Sequence, residues 1–115
     1  AQAAEFLAGP ARSRGRVIST GDFNSAADGS TTTSYASLTR SFRDAWSTRG
    51  SDPGLTCCFN ETLSDPTTPL TTRIDLVLAK NGAYPVGANV VGATPFQAKA
   101  PLWASDHAGV LASIR

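Results

Sequence analysis

The sequence is poor in several residue types that would reveal a function directly. Its 115 residues include no methionine, one histidine, two cysteines and two glutamates, Glu5 and Glu61. The longest purely apolar runs are only a few residues, whereas a membrane-spanning helix needs about 20, so a transmembrane segment is excluded. The N-terminus also lacks the basic stretch and apolar core of a signal peptide. We therefore expect a soluble chain, and leave open whether a longer parent protein is secreted.

Charge of one sign is equally scarce. Ten Lys and Arg residues face nine Asp and Glu residues, for a net charge of +1, and no basic block occurs. Charge alone therefore does not indicate a nucleic-acid-binding protein. The hydrophobic share of 41% is ordinary for a globular chain, and 115 residues suit one domain. These values predict a small α/β domain.

Two helices are predicted. The first covers residues 1–8, which are rich in helix formers and are followed by Gly and Pro. The second is expected over 32–42, with Ser30 or Thr31 as its cap, and we expect residues 42–46 to end it. Its apolar face is indicated by three side chains at helical spacing: Tyr35, Leu38 and Phe42.

Four strands are predicted from short runs of β-branched or alternating apolar residues, over 16–20, 73–79, 86–91 and 107–114. In the second of these, the side chains of Ile74, Leu76 and Leu78 share one face. Residues 47–72 are mostly Ser, Thr, Asp, Pro and Gly, so we expect a long surface loop that holds one short strand over 55–59. Strands separated by one helix and long loops indicate a layered α/β or α+β fold.

The first chemically informative motif is Gly21-Asp-Phe-Asn24, at the end of the first predicted strand. The side chains of Asp22 and Asn24 are two residues apart and point the same way along an extended backbone. They would therefore face any crevice beyond the edge of the sheet. An ordinary turn is the alternative, because Gly, Asp and Asn are the usual turn formers.

Two further motifs carry ionisable groups. Asp75 lies in a predicted strand among apolar neighbours, where a carboxylate is costly unless it accepts hydrogen bonds or faces water. It is either on an exposed face or orients a histidine. In Ser105-Asp-His107, Asp106 is a hard oxygen donor of the kind that Mg²⁺ and Mn²⁺ prefer. His107, adjacent to Asp106 but facing the opposite way, would be free to meet Asp75, although a lone histidine is more often structural.

Taken in order, Gly21-Asp-Phe-Asn24, Arg73-Ile-Asp75 and Ser105-Asp-His107 resemble the closing half of the endonuclease/exonuclease/phosphatase superfamily. That group includes DNase I-like nucleases, abasic-site endonucleases, inositol-phosphate phosphatases and neutral sphingomyelinases. The resemblance spans nearly the whole chain. It implies an α/β fold that is half of a four-layer, DNase I-like sandwich, with mostly antiparallel sheets and flanking helices. The active site would lie at one edge, where loops from both sheets converge.

The resemblance also implies catalytic roles. Asp22 would orient or deprotonate the attacking water or help to bind the metal, and Asn24 would contact phosphate oxygens. Asp106 would be a metal ligand. His107 would act as general base or as hydrogen-bond donor to the phosphate, held in orientation by Asp75.

The chain departs from the superfamily pattern in what it lacks. Domains of that group are considerably longer, and their first half supplies an Asn, a Glu and usually a further His to the site. Neither Glu5 nor Glu61 lies in the expected context, and no second histidine occurs. We therefore expect residues 1–115 to be the C-terminal portion of such a domain, with the N-terminal half absent. The chain would be a piece of a longer enzyme, pair with a second polypeptide that carries the other half, or form a homodimer.

The adjacent cysteines and two tryptophans allow more than one role. Cys57 and Cys58 are expected to be structural, with a vicinal disulfide or a soft-metal role as alternatives. Core packing is the expected role of Trp46. Trp103, just before the Ser105-Asp-His107 motif, is the better candidate to line a substrate cleft.

The function implied by the resemblance is metal-dependent hydrolysis of phosphate esters or phosphodiesters. The cofactor would be Mg²⁺ or Mn²⁺, or else Ca²⁺, and the substrate a nucleic acid, a phospholipid or a small phosphate ester. The main alternative is a non-catalytic half-domain that serves as a binding or assembly module. A metal-free esterase is disfavoured, because no Gly-x-Ser-x-Gly motif occurs and the adjacent Ser, Asp and His of 105–107 cannot form a triad. A hydrolase that uses Cys57 or Cys58 with His107 is a minor alternative.

Overall fold

Five strands and three short α-helices form in the part of the chain, residues 2–97 and 99–115, that the computed structural model describes. A single turn of 3-10 helix, Pro10–Arg12, follows the first α-helix. None of the helices within the described residues is long and apolar enough to cross a membrane. In chain order the elements are α1 Gln2–Ala8, β1 Val17–Asp22, α2 Ser34–Thr39, β2 Arg43–Asp44, α3 Ala45–Arg49, β3 Asp75–Lys80, β4 Pro85–Val91 and β5 Gly109–Ile114.

The larger sheet has the order β1-β3-β2, and both of its strand pairs are antiparallel. The register of β1 on β3 runs from Val17 opposite Lys80 to Asp22 opposite Asp75. Residues 76–79 of the central strand β3 are all buried, on both faces of the sheet. The prediction of a strand here is confirmed, but the single apolar face expected from the sequence is only half of the buried surface.

The smaller sheet consists of β4 and β5, paired antiparallel from Val91 opposite Gly109 to Pro85 opposite Ile114, with an irregularity between Pro85 and Gly87. Strand β5 also contacts β3, which brings the two sheets together. The predicted antiparallel α/β architecture with flanking helices is therefore confirmed.

The main core lies between the larger sheet and the helices α1 and α2. Leu38 and Phe42 pack there against Leu76 and Leu78 of the central strand, and the ring of Phe6 stacks on Phe42 with centroids 5.9 Å apart. Of the three side chains that predicted α2, Tyr35 and Leu38 lie in the helix and face this core, because residues three apart lie on one side of a helix, whereas Phe42 follows the end of the helix.

The boundaries of this helix differ from the prediction. It covers Ser34–Thr39 rather than 32–42, and its N-terminal flanking residue is Thr33. Thr31 does not cap it, because the Thr31 hydroxyl accepts a hydrogen bond from the backbone of Ala26 instead. The helix ends early because the chain must turn to enter β2.

Residues 42–72 also differ from their prediction. Instead of ending a helix, Arg43 and Asp44 form the edge strand β2, and Asp44 then caps α3 by accepting a hydrogen bond from the backbone N–H of Trp46 at 3.0 Å. The segment 55–59 is not a regular strand and is not on the surface. Its residues Thr56, Cys57 and Phe59 are buried, and Cys57 makes isolated bridges to residues 72 and 107.

A buried ion pair joins Asp44, at the junction of β2 and α3, to the residues just before β3. The guanidinium of Arg73 donates to the Asp44 carboxylate, which also accepts a hydrogen bond from the hydroxyl of Tyr35 at 2.8 Å. The side chains of Arg73 and Asp44 are only 10% and 1% exposed. The start of β3 at Asp75 is therefore anchored by a charge pair, because loss of the pair would leave the buried charge of Arg73, two residues earlier, without a partner.

We expect Asp44→Asn to lower the free energy of unfolding by about 3–5 kcal/mol, because it leaves the buried charge of Arg73 without its partner. Urea denaturation measures this loss. The exposed Glu61→Gln removes the same charge from the surface and should change stability by no more than about 0.5 kcal/mol. Equal effects of the two substitutions would show that the ion pair does not anchor the strand.

Candidate functional site

Two carboxylates lie directly opposite each other where β1 ends and β3 begins. Asp22 is the register partner of Asp75, so both side chains project from the same face of the sheet. Like charges in directly opposed positions of an antiparallel pair are destabilising. A sheet that keeps such a pair needs a positive group nearby to offset the repulsion.

His107 provides a group that can carry this positive charge. Its Nδ1 atom is 2.8 Å from Oδ2 of Asp75, and the two side chains are 25% and 18% exposed. The residue expected from the sequence to meet Asp75 is therefore in contact with it. A carboxylate at this distance favours the tautomer in which Nδ1 carries the proton and donates it to Asp75, which leaves Nε2 available.

The surrounding charges shift the titration of this histidine. The hydrogen bond to Asp75 raises the pKa of His107 above its ordinary value of 6.5, and partial burial opposes this rise. The negative charges of Asp75, Asp106 and Asp22 raise it further. The raised pKa favours the protonated imidazole, a form that can donate a proton or a hydrogen bond to a substrate.

Thr56 holds the two motifs together. Its side chain is fully buried, and its hydroxyl oxygen accepts hydrogen bonds from the backbone N–H groups of Ile74 and Asp75, both at 3.1 Å. Its carbonyl oxygen accepts one from the N–H of Ala108 at 2.8 Å. One residue therefore binds the start of β3 and the chain beside His107, which sets the distance between the carboxylate and the imidazole.

The other predicted site residues lie around this pair. Asn24 is exposed, with a φ of 47°, and its backbone N–H donates to Oδ1 of Asp22 at 2.7 Å. The motif is therefore also a turn, as its alternative interpretation held. The exposed carboxylate of Asp106 is 3.3 Å from the Ser105 hydroxyl, and the Asp106 carbonyl accepts a hydrogen bond from Phe59.

The crevice expected beyond the edge of the sheet is only partly matched by a cavity. A cavity of about 190 Å³ touches Asp22 but lies towards the helices, and Asp75 and His107 are not among the residues that line it. Its wall contains Gln2, Ala3, Phe6, Phe23, Ser34 and Leu38. The carboxylate–histidine pair lies outside this cavity, with both side chains partly exposed.

The carboxylates suit a hard divalent cation in kind but not in number. Asp22 and Asp106 offer the oxygen atoms that Mg²⁺ binds, yet near-octahedral coordination needs more donors. Among residues 2–97 and 99–115, one group of three potential metal-ligating side chains has its ligand atoms within 4.8 Å of one another. This group is Cys57, Cys58 and His107, and it does not include Asp22 or Asp106. Asp22 and Asp106 alone are therefore an incomplete oxygen set for Mg²⁺.

The two cysteines lie against the imidazole. Cys57 and Cys58 are joined by a disulfide, and Sγ of Cys58 is 3.7 Å from Nε2 of His107. Of the roles left open by the sequence, the structure has the disulfide. A thiol nucleophile paired with His107 is not present in this form, because both sulfur atoms are in that bond.

Both tryptophans are core residues by their placement. Trp46 is 8% exposed and donates from Nε1 to the carbonyl of Asp52. Trp103 is 7% exposed, and its ring packs on Phe59 with centroids 4.9 Å apart. The prediction that Trp103 lines a substrate cleft therefore gains no support, because packing covers most of its surface.

Sequence reasoning missed Thr56 and Asp44 as supports of the site. Thr56 belongs to a polar loop and has no signal of its own, since a threonine among Ser, Thr and Pro predicts only a loop. Asp44 was detectable in principle, because an aspartate immediately before a short apolar segment is a common helix cap.

The comparisons with known proteins identify relatives. A model of the Endonuclease/Exonuclease/phosphatase family matches residues 1–107. The fold is similar to that of an endonuclease/exonuclease/phosphatase family protein from Leptotrichia buccalis C-1013-b, with a TM-score of 0.65 and 21% sequence identity. That alignment covers 98% of this chain and 42% of the other, so this chain spans less than half of its structural relative. None of the curated proteins matches the chain.

Titration of the single histidine tests its pairing. We expect NMR titration of His107 to give a pKa above 6.5, and Asp75→Asn to lower it towards that value, because the substitution removes the negative charge and leaves a weaker, neutral acceptor. The exposed Asp28→Asn serves as control and should leave the titration of His107 nearly unchanged. An unaltered pKa in Asp75→Asn would contradict the pairing.

The same pair predicts a pH dependence of stability. A raised pKa in the folded chain means that the Asp75–His107 bond stabilises the fold in full below the pKa of the unfolded histidine. This contribution is lost as the pH rises through the raised value. Urea denaturation should therefore find the largest stability difference between the natural chain and Asp75→Asn on the acidic side, and a pH-independent difference would argue against the linkage.

We expect Thr56→Val to lower the free energy of unfolding by about 1–3 kcal/mol, because it keeps the shape but leaves two buried N–H groups without an acceptor. Thr56→Ser retains the hydroxyl and is the matched control, which should lose less stability than the valine variant. Equal losses for both would indicate that the methyl packing of Thr56 matters and its hydroxyl does not. Urea denaturation of the two variants measures the difference.

Proposed function

Because this chain belongs to the Endonuclease/Exonuclease/phosphatase family, we propose that it supplies the carboxylate–histidine part of a metal-dependent phosphoesterase site. The observation that carries the proposal is the arrangement of Asp22 opposite Asp75, with His107 hydrogen-bonded to Asp75 at 2.8 Å. Two opposed carboxylates lower the stability of the sheet. A site that binds a cation and transfers a proton nevertheless needs both, Asp22 for the cation and Asp75 for the histidine.

In this proposal Asp75 acts through His107. It holds the imidazole in one orientation and stabilises its protonated form, so that Nε2 can accept a proton or donate a hydrogen bond to the substrate phosphate. Asn24, exposed beside Asp22, contacts phosphate oxygens through its amide. Asp22 orients the attacking water or helps to hold the metal. Each role uses a group whose chemistry matches it, and the raised pKa of His107 supports a proton-transfer role.

The metal in the proposal is Mg²⁺ or Mn²⁺, or else Ca²⁺, held by Asp106 and Asp22. When bound, such an ion offsets the negative charge that builds up on phosphate oxygens in the transition state. The two carboxylates of this chain have the correct hard-donor chemistry. Because they are too few, the remaining ligands come from a part of the site outside this chain.

The substrate proposed is a phosphate ester or phosphodiester. Nucleic acid, a phospholipid headgroup and a small phosphate ester all contain the group that the site would bind. The net charge of +1 favours none of them, since a basic surface for nucleic acid would have to lie elsewhere.

We propose further that this chain acts as the C-terminal portion of a larger domain or together with a second polypeptide, either the other half or a second copy. The length supports this, because the structural relative is more than twice as long. Several large apolar side chains are also exposed, as expected of a surface that another part of the protein covers. They are Ile18, Val86, Val91, Phe96 and Leu111.

A binding or assembly module without catalysis is the second candidate. The shortage of oxygen donors favours it, since an inherited motif without a full ligand set would not hold Mg²⁺. Titration calorimetry with Mg²⁺ or Mn²⁺ distinguishes the two functions. When the ligands from outside this chain are present, a catalytic part binds the ion through Asp106 and Asp22, whereas an idle module has no such site.

The activity test uses a chromogenic phosphodiester and Mg²⁺, with the chain as part of the complete domain or together with the polypeptide that supplies the remaining ligands. We expect hydrolysis that EDTA abolishes and that His107→Ala reduces by about 10²–10⁴-fold, the usual contribution of a positioned acid or base. Asp75→Asn should reduce turnover more than it changes KM, because it alters the imidazole and not substrate binding. Circular dichroism checks that each variant is folded.

Equal hydrolysis in EDTA would overturn the metal-dependent mechanism. The exposed Asp28→Asn is the matched control, because it removes a carboxylate outside the proposed site and should retain full turnover. Alkylation of reduced Cys57 and Cys58 without loss of activity would exclude a thiol hydrolase. Absence of both turnover and Mg²⁺ binding would favour the assembly module.

A further inference from the structure

The sulfur atoms of the adjacent cysteines and a ring nitrogen of His107 form a compact cluster of metal-ligating atoms. One ligand atom from each of Cys57, Cys58 and His107 lies within 4.8 Å of the others. The shortest described approach between sulfur and nitrogen is 3.7 Å, from Sγ of Cys58 to Nε2 of His107. This cluster shares His107 with the proposed phosphoesterase site but otherwise uses different residues.

The distance is close to that between ligands of a tetrahedral zinc ion. Zn–S bonds of about 2.3 Å and Zn–N bonds of about 2.0–2.1 Å at tetrahedral angles place sulfur and nitrogen about 3.5 Å apart. Two thiolates and one imidazole are also a ligand set that soft and borderline metals prefer over Mg²⁺. The atoms of Cys58 and His107 are therefore already spaced as ligands of one ion, whereas the two sulfur atoms must move apart to about 3.8 Å once the disulfide is open.

The carboxylate behind the imidazole strengthens this interpretation. Asp75 accepts the hydrogen bond of Nδ1, which directs the lone pair of Nε2 towards Cys58. Zinc-binding histidines almost always donate their second N–H to such a group, because this fixes the tautomer and makes the ligand more basic. The arrangement thus contains three ligand atoms and a carboxylate that orients the histidine ligand.

We propose that the reduced form of this chain binds Zn²⁺ through Sγ of Cys57, Sγ of Cys58 and Nε2 of His107. Reduction by a thiol or dithiol breaks the sulfur–sulfur bond, adds two electrons and two protons, and oxidises the reductant to its disulfide. Binding of Zn²⁺ then releases the two thiol protons to water. The fourth position is filled by water or by an external ligand.

Zinc bound in this way inhibits phosphoester hydrolysis, because it occupies the Nε2 atom that would face the substrate. This consequence rests on the proposed function, whereas zinc binding itself does not. An inactive chain could still bind zinc, and an active one could fail to do so. The failure of either proposal is therefore visible separately.

The experiment uses Co²⁺ as a spectroscopic probe and the complete 115-residue chain, reduced under anaerobic conditions. We expect a thiolate-to-cobalt charge-transfer band that saturates at one equivalent and that Zn²⁺ displaces. The oxidised chain should give no such band. In the reduced natural chain, Zn²⁺ should also shift the NMR signals of His107, a readout that needs no substitution and no activity.

Variants separate the soft site from the carboxylate site. His107→Gln and Cys58→Ser should each weaken Co²⁺ binding strongly, because each removes a ligand atom. Asp75→Asn should weaken it by about 10–100-fold, the usual effect of losing the carboxylate that hydrogen-bonds a ligating histidine. The control Asp106→Asn removes a proposed Mg²⁺ ligand and should keep its affinity for Co²⁺. Circular dichroism verifies that the variants remain folded.

Three results would overturn the proposal. The reduced natural chain could show no thiolate band, its His107 signals could stay unchanged in saturating Zn²⁺, or folded His107→Gln could bind Co²⁺ as tightly as the natural chain. The NMR result holds even where a variant does not fold, because it is obtained on the unaltered sequence.

Discussion

A single buried hydroxyl keeps the chemically active ends of the two sheets together. The Thr56 oxygen accepts the N–H groups of Ile74 and Asp75, and the carbonyl of the same residue binds Ala108. Among the described residues, the loop at 55–59 makes isolated bridges rather than a regular strand between the start of β3 and the chain at 107–108. The hydrogen bonds of Thr56 therefore hold these two parts together in place of a continuous β-ladder. Since His107 directly precedes Ala108, the contact of its imidazole with Asp75 follows from this junction.

The position of Asp75 depends on two kinds of support with different energetics. The buried pair of Arg73 and Asp44 anchors the chain just before β3 and couples it to α3 through the cap on Trp46. The antiparallel register then places Asp22 opposite Asp75. A buried pair of this type contributes little net stability, but breaking it is costly. It therefore specifies one position for the strand end.

His107 lies where two different sets of ligand atoms meet. On one side is the carboxylate of Asp75, a hard donor whose hydrogen bond raises the pKa of the imidazole, and the charges of Asp106 and Asp22 raise it further. On the other side is the sulfur of Cys58. The two nitrogen atoms of the ring divide these environments between them, Nδ1 towards oxygen and Nε2 towards sulfur. Through this ring, the redox state of the cysteines has a direct physical route to the proposed active site.

The family, the antiparallel α/β class and the main strands and helices of the chain could be predicted from the sequence. The pairing of Asp75 with His107 could be stated from the sequence as a hypothesis. These follow from local signals: strand alternation, helical spacing and short motifs in a fixed order. The sequence did not determine the end of α2, the α3 cap at Asp44, or the junction at Thr56. The junction at Thr56 and the pair of Arg73 with Asp44 depend on residues far apart in the chain, as with Cys58 and His107, which are 49 residues apart. These contacts become visible in the tertiary structure alone, because packing and burial select one hydrogen-bonding or ionic partner among many chemically similar residues.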